Sequence, residues 1–168
     1  MKTIRKRRRE NKTDYSKRIK SLKGETPRIV VRKSNRYILA QYVTSKEAQD
    51  KVEISKSSKE LLKYGWPKKM EGSLKSIPAS YLLGILIGKK ISREKSKKAV
   101  VDFGMMRMLH KNKLYAVLKG LVDAGIDIKC KKELFPYEDR IKGKHLKEDF
   151  TKTFEEIKSK VEMKNDNK

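Results

Sequence analysis

The chain has 168 residues and a formal net charge of +24, with 45 Lys and Arg against 21 Asp and Glu, and 36% apolar residues. This length fits one domain with tails. No apolar run approaches the roughly 18–20 residues that span a bilayer. The basic N-terminus lacks the apolar stretch of a secretory signal, and Cys130 alone makes neither an internal disulfide nor a zinc cluster. The expected setting is soluble, intracellular and reducing. The expected partner is a polyanion, with nucleic acid ahead of an anionic membrane surface.

The charge is concentrated at the front. Residues 1–36 carry 15 Lys and Arg against three acids, net +12 and half the total. Within them, Arg5-Lys6-Arg7-Arg8-Arg9 has no apolar periodicity. Five adjacent like charges repel and cannot pack, so residues 1–13 are expected to form a basic arm that is disordered when free. Its guanidinium forks suit phosphate oxygens. A short helix is expected from Thr13 to Leu22, capped by Thr13 or Asp14. Ile19 and Leu22 form its apolar edge, Lys17, Arg18 and Lys20 face out, and Gly24 and Pro27 stop it.

Arg28 to Lys33 and Arg36 to Val43 read as two β-branched strands. Ser34-Asn35 would be a two-residue hairpin loop that pairs Arg32 with Tyr37, Val31 with Ile38 and Ile29 with Ala40. Alternation puts Ile29, Val31, Ile38, Ala40 and Tyr42 on one apolar face. Arg32 beside Tyr37 could stack on a base, hold a phosphate or simply pack across strands. A weaker third strand includes Lys51 to Ile54. Ser57 to Leu62 reads as a capped short helix, Trp66 as a packing plug, and residues 67–76 as a polar, basic connector.

Pro78 opens an apolar helix through Ala79, Leu82, Leu83, Leu86 and Ile87, expected to be the buried one. Its Gly84 and Gly88, four apart, admit another backbone. Gly84 to Lys90 is not a phosphate loop: the spacing is one residue short, and Lys90 stands where Ser or Thr is required. Ala99 to Phe103 reads as a buried strand and Leu114 to Val122 as an amphipathic helix. Ile126 to Ile128 reads as a last short strand. Leu146, Phe150, Phe154, Ile157 and Val161 then step at helical spacing, and Lys164 to Lys168 are expected to be disordered. The expected architecture is α/β, a single mixed-sheet sandwich with a basic N-terminal arm and a C-terminal helical tail. Its boundaries fall at 1–13, 14–145 and 146–168.

No catalytic set emerges. His110 and His145 lie far apart with no carboxylate or Cys at ligand spacing, and no Gly-x-Ser-x-Gly elbow occurs. A metal-dependent nuclease would need Asp102 clustered with Asp123 and Asp127, which a solvated face and a turn explain on their own. A non-specific DNA-compacting protein is the third reading.

Several strings together resemble a known family. They are the Arg-rich arm with Asn11, Lys12, Thr13, Tyr15 and Arg18; Pro27 through Ile38 with Ala40-Gln41; and Tyr64-Gly65-Trp66. Pro78-Ala79-Ser80-Tyr81-Leu82 and Gly88-Lys89-Lys90 follow, then Val101-Asp102, Leu118-Lys119-Gly120, Val122-Asp123-Ala124-Gly125, Phe135-Pro136 and Arg140-Ile141-Lys142-Gly143. Over residues 5–146 the chain resembles the universal large-subunit ribosomal protein eighteen family in its archaeal and eukaryotic form, the carriers of 5S ribosomal RNA. The resemblance implies an α/β domain with basic extensions and no enzymatic activity, cofactor or metal. It implies a cytoplasmic ribosomal location and binding to 5S rRNA and to 23S-type large-subunit rRNA. It also implies neighbouring large-subunit ribosomal proteins as partners, a place in the central protuberance, and no membrane partner. Carried over by position, the RNA contacts would be Arg5, Lys6, Arg7, Arg8, Arg9, Lys12, Tyr15, Arg18, Arg28, Arg32, Lys33, Ser34, Asn35, Arg36 and Tyr37. Arg107, Lys111 and Lys113 join them from the basic loop before the second large helix. That loop departs from the family pattern, with Met105-Met106-Arg107-Met108 where a Gly-Ser step is expected.

Overall fold

The alternating segment from residue 28 to 57 folds as three antiparallel strands, β1 (Arg28–Lys33), β2 (Ile38–Lys46) and β3 (Gln49–Ser57). A fourth, β4 (Val100–Asp102), runs parallel to β1 and completes a mixed sheet in the order β3-β2-β1-β4. These come from a computed structural model that describes residues 4–94, 98–146 and 150–164. Residues 1–3 of the arm and 165–168 of the tail lie outside the described residues.

The β1–β2 register differs from the sequence expectation. Val31 pairs with Ala40, Arg32 with Leu39 and Lys33 with Ile38, so the loop is four residues, Ser34 to Tyr37, rather than two. Ser34 closes it. Its backbone N–H donates to the Tyr37 carbonyl at 2.9 Å, and its hydroxyl accepts the Tyr37 N–H at 2.9 Å. A two-residue slip preserves side-chain parity. Ile29, Val31, Ile38, Ala40 and Tyr42 therefore still share one face, none more than 1% exposed. The β2–β3 turn uses Glu47 and Ala48 at φ 51° and 63°, the left-handed pair of a type I′ hairpin without its usual glycine.

Two other strand expectations are corrected. The buried strand over Ala99–Phe103 is three residues at a sheet edge, and Val100 is 48% exposed. Only β1 flanks it. Ile126–Ile128 forms no strand: Asp127 makes one isolated bridge to Lys98 while Ile126 is buried.

The helix opened by Pro78, α3, spans Ile77–Glu94 and is apolar around its girth because it is packed on two sides. On one side α3 and α4 (Lys113–Asp123) cover the apolar sheet face, joining Leu83, Ile87, Val117 and Leu121 to Ile29, Val31 and Tyr42. On the other, Leu82, Ile85 and Leu86 meet Leu61, Trp66, Leu74 and the stripe Phe150, Phe154, Ile157 and Val161. That stripe lies on and just before α6 (Thr151–Lys164), beyond α5 (Glu138–Lys142). Trp66 is the expected plug: its ring centroid lies 4.9 Å from that of Phe150, and its indole N–H donates to the Met70 carbonyl. Ser57 and Glu60 form a capping box on the short 3₁₀ helix Ser58–Tyr64. The polar connector hides one core residue, the fully buried Leu74.

Candidate nucleic-acid interface

The arm is not featureless. Lys6–Arg9 make one exposed helical turn, α1, because its charges meet local partners. Arg8 pairs with Asp14 at 3.2 Å and Arg7 Nε donates to Thr13 Oγ1 at 3.0 Å. Asn11 at φ 52° turns the chain back toward the body. The Arg5 guanidinium lies 4.9 Å from the Tyr15 ring centroid, and Lys12 pairs with Glu10. Lys6 and Arg9 are exposed and form no ion pair among the described residues. The next helix, α2 (Tyr15–Lys23), is capped by Asp14, whose carboxylate accepts the Ser16 and Lys17 N–H groups. The Lys17 amide, with Arg8 beside it, holds the Asp14 carboxyl below the usual range.

Asp50 ties α2 to the sheet. Its Oδ2 lies 3.0 Å from Arg18, and its Oδ1 lies 2.5 Å from Arg28 and 2.6 Å from the Ser45 hydroxyl. Arg28, placed among the RNA contacts by resemblance, is the one buried charged residue among those described, 3% exposed. Its guanidinium lies on the outer face of the sheet, bonded to Ser45 and Asp50. Burial opposes ionisation of Asp50, but the Ser45 hydroxyl, Arg18 and Arg28 outweigh it and hold the carboxyl below 3.8. Asp50→Asn would leave Arg28 buried without a counter-charge, at a cost of about 2 kcal/mol, tempered by the partial exposure of Asp50. Thermal melts at neutral pH should show a drop of about 4–8 °C. A depressed carboxyl stabilises above its unfolded value and loses that contribution as pH falls through the folded one. The deficit of Asp50→Asn should therefore shrink below pH 3.8.

Arg32, on the same sheet face, reaches over to β4. Its Nη2 pairs with Asp102 Oδ2 at 3.0 Å, and its Nη1 donates to the Asp102 carbonyl at 2.8 Å. Between the arm, α2, the β4 edge and the loop at residues 103–108 lies a cleft of about 630 Å³. Arg7, Lys12, Lys17, Arg18, Lys20, Arg28 and Arg32 line it against two acids, Asp14 and Asp102. Of the predicted contacts, Arg7, Lys12, Arg18, Arg28 and Arg32 thus converge in one place, whereas Arg5, Lys6, Arg8, Arg9 and Tyr15 do not line it.

The remaining predicted residues lie elsewhere. Lys33, Ser34, Asn35 and Arg36 are exposed at the β1–β2 loop, whereas the Tyr37 ring is half-buried against Trp66 and its neighbours. Lys113, at the start of α4, has its pKa lowered by burial and by Lys33 and Lys75 nearby. Lysines from the end of β1, the connector and α4 thus lie close enough to repel one another. Lys111 joins a second groove, donating to the exposed Tyr137 hydroxyl at 2.5 Å, and Arg107 is exposed. Lys17, Lys20 and Lys75 were not among the predicted contacts. The outward spacing of Lys17 and Lys20 on α2 was their signal; Lys75 had none.

The nuclease carboxylates do not cluster. Asp102 is engaged with Arg32 and the Gly104 amide, and Asp123 accepts from Tyr81 and Lys119. Among the described residues no group of three His, Cys, Asp or Glu could hold a metal ion, and no helix is long and apolar enough to cross a membrane.

A mixed α/β sheet with one face capped by helices and the other bordering a cation-lined cleft defines a protein built to meet a polyanion. A family model described as ribosomal large subunit proteins 60S L5 and 50S L18 matches residues 1–98. The chain is 45% identical over 140 residues to the large ribosomal subunit protein uL18 of Korarchaeum cryptofilum, covering 83% of this chain and 70% of that one. It is 40% identical to the same protein of Methanoregula boonei, over 83% and 78%, and 44% identical to that of Caldivirga maquilingensis, over 83% and 66%. The chain belongs to this family of ribosomal large-subunit proteins; it is a structural constituent of the ribosome and not an enzyme.

Proposed function

We propose that the chain binds 5S rRNA and helps attach it to the 23S-type rRNA of the large subunit, in the central protuberance beside other ribosomal proteins. The observation that carries this reading is the cleft in which the arm, α2 and β1 bring seven Lys and Arg together beside the β4 edge. Phosphate contacts from the exposed Lys and Arg of the arm and α2 supply affinity, while the buried Arg28 holds the sheet side of the cleft through Asp50. Stacking and base-edge contacts to unpaired nucleotides supply selectivity.

Competition binding tests the reading. At moderate salt the full chain should retain 5S rRNA in the presence of excess duplex DNA, and RNA recovered with the native protein should have the size of 5S rRNA. Equal displacement by duplex DNA would favour the DNA-compacting alternative.

Residues 1–13 act as an RNA-binding arm on a domain that folds without them. The described arm residues 4–12 are all exposed, and none of them joins either apolar cluster. Deleting residues 1–12 should leave a cooperative thermal transition while weakening 5S rRNA binding at least a hundred-fold at low salt, since about six phosphate contacts are lost. Loss of cooperative melting in the truncated chain would refute the division.

A further inference from the structure

Arg32 lies in the cation-lined cleft, yet three of its five donors are already used. Nη1 donates to the carbonyl oxygens of Val31 at 2.9 Å and Asp102 at 2.8 Å, and Nη2 donates to Asp102 Oδ2 at 3.0 Å. The edge joining the two Nη atoms is one that a guanidinium uses to fork a phosphate; here it is occupied. Asp102 is itself fixed, its Oδ1 accepting the Gly104 N–H at 2.6 Å.

Gly104 supplies a second constraint. At φ +63°, a Cβ on Gly104 would lie 3.1 Å from Arg32 Cζ and 3.3 Å from each Nη. Near-equal distances to the centre and both arms of the fork put Gly104 over one face of the guanidinium plane. With that edge bound and one face covered, the side chain remains 42% exposed. What it offers a ligand is the opposite face, with Nε–H and the second Nη2–H at its side.

We propose that this face is a stacking platform for an unpaired nucleobase, and that Asp102 and Gly104 are the positioning residues that hold it. The assignment rests on the reading of the cleft as an RNA site, and it decides between the two uses open to Arg32, base stacking and phosphate binding. Guanidinium planes stack on splayed bases, and a plane already held in place loses less freedom on binding. It also gives Asp102 a purpose. A carboxylate in a cationic cleft repels RNA, so it belongs there only if it does something for a neighbouring cation.

The test uses the full-length chain with Arg32→Lys, Arg32→Ala and Asp102→Asn, each first shown by melting to be folded. Affinities are measured across a salt series for 5S rRNA, a short oligoadenylate and duplex DNA. Lysine keeps the charge and loses the plane. Arg32→Lys should therefore bind both single-stranded oligoadenylate and 5S rRNA about ten-fold more weakly, as Arg32→Ala does. For Arg32→Lys, the salt slope and duplex binding should stay unchanged. Asp102→Asn removes a negative charge, yet should weaken binding to single strands, and should add nothing in an Arg32→Ala background.

A native-like Arg32→Lys, with Arg32→Ala reducing the log–log salt slope by about one, would overturn the proposal in favour of a phosphate contact. So would tighter binding of every probe by Asp102→Asn. If Arg32→Ala does not fold, the oligoadenylate affinity of Arg32→Lys decides alone. A chain that loses oligoadenylate binding with Arg32→Lys but does not prefer 5S rRNA to duplex DNA would keep the platform and refute the 5S reading. The reverse pattern would refute the platform alone.

Discussion

Raising salt from about 50 to 200 mM should weaken binding of the full chain to 5S rRNA by about four orders of magnitude. The arm and α2 present about eight cations to phosphate, which corresponds to a log–log slope of roughly −6 or −7. Three of them are ion-paired in the free protein, Arg8 with Asp14, Lys12 with Glu10 and Arg18 with Asp50. Exposed pairs of this kind are worth only about 0–1 kcal/mol, so exchanging a carboxylate for a phosphate costs little. Equilibrium binding across a salt series checks the slope, and a value near zero would sink the electrostatic account of the arm.

Gly120→Ala should destabilise the fold by about 3 kcal/mol or more, lowering the melting temperature by about 6–12 °C. Side chains play no part in the reason. A Cβ at Gly120 would fall against the Tyr81 carbonyl oxygen, inside any real contact, and 3.0 Å from Gly84 Cα and Ile85 N. Each obstacle is backbone, so no rotamer relieves it, and α3 and α4 must separate. Their separation opens the core that both helices share with the sheet. Gly72→Ala is the control: a Cβ there meets nothing within 4 Å, and its melt should match the native one within about 0.5 kcal/mol. Equal melting of the two variants would mean that the helices tolerate a wider spacing than their contact implies.

The glycines of α3 were legible because four-residue spacing on an apolar helix has few other uses, although their partner on α4 was not. The apolar sheet face was equally legible, since parity survives the wrong hairpin register. What failed was the loop: Ser34-Asn35 offered a tight turn, but a serine that bonds Tyr37 through both backbone and hydroxyl favours the longer one. Val100 and Val101 looked central because β-branched residues suit any strand, edge or interior. Arg28 looked like its exposed neighbours because Asp50 sits 22 residues away, and no local pattern announces such a pair. The cations of the cleft could be named from composition and resemblance. Their convergence could not, because it depends on β4 arriving beside β1 from 70 residues downstream.

That last pairing orders events during synthesis. Arg28 lies beside Val100 and Arg32 beside Asp102, so one wall of the cleft is made long before the other. At about 5–20 residues per second, the arm precedes the loop at residues 103–108 by roughly 5–20 s. During that interval the nascent chain exposes its densest positive charge with no Asp102 to hold Arg32 and no β4 edge to lie against. Polyanions that meet it then engage a flexible basic peptide without the shape of the finished site. On the proposed reading, discrimination among RNAs is therefore acquired late, when the central third of the chain has emerged and α3 has brought β4 home.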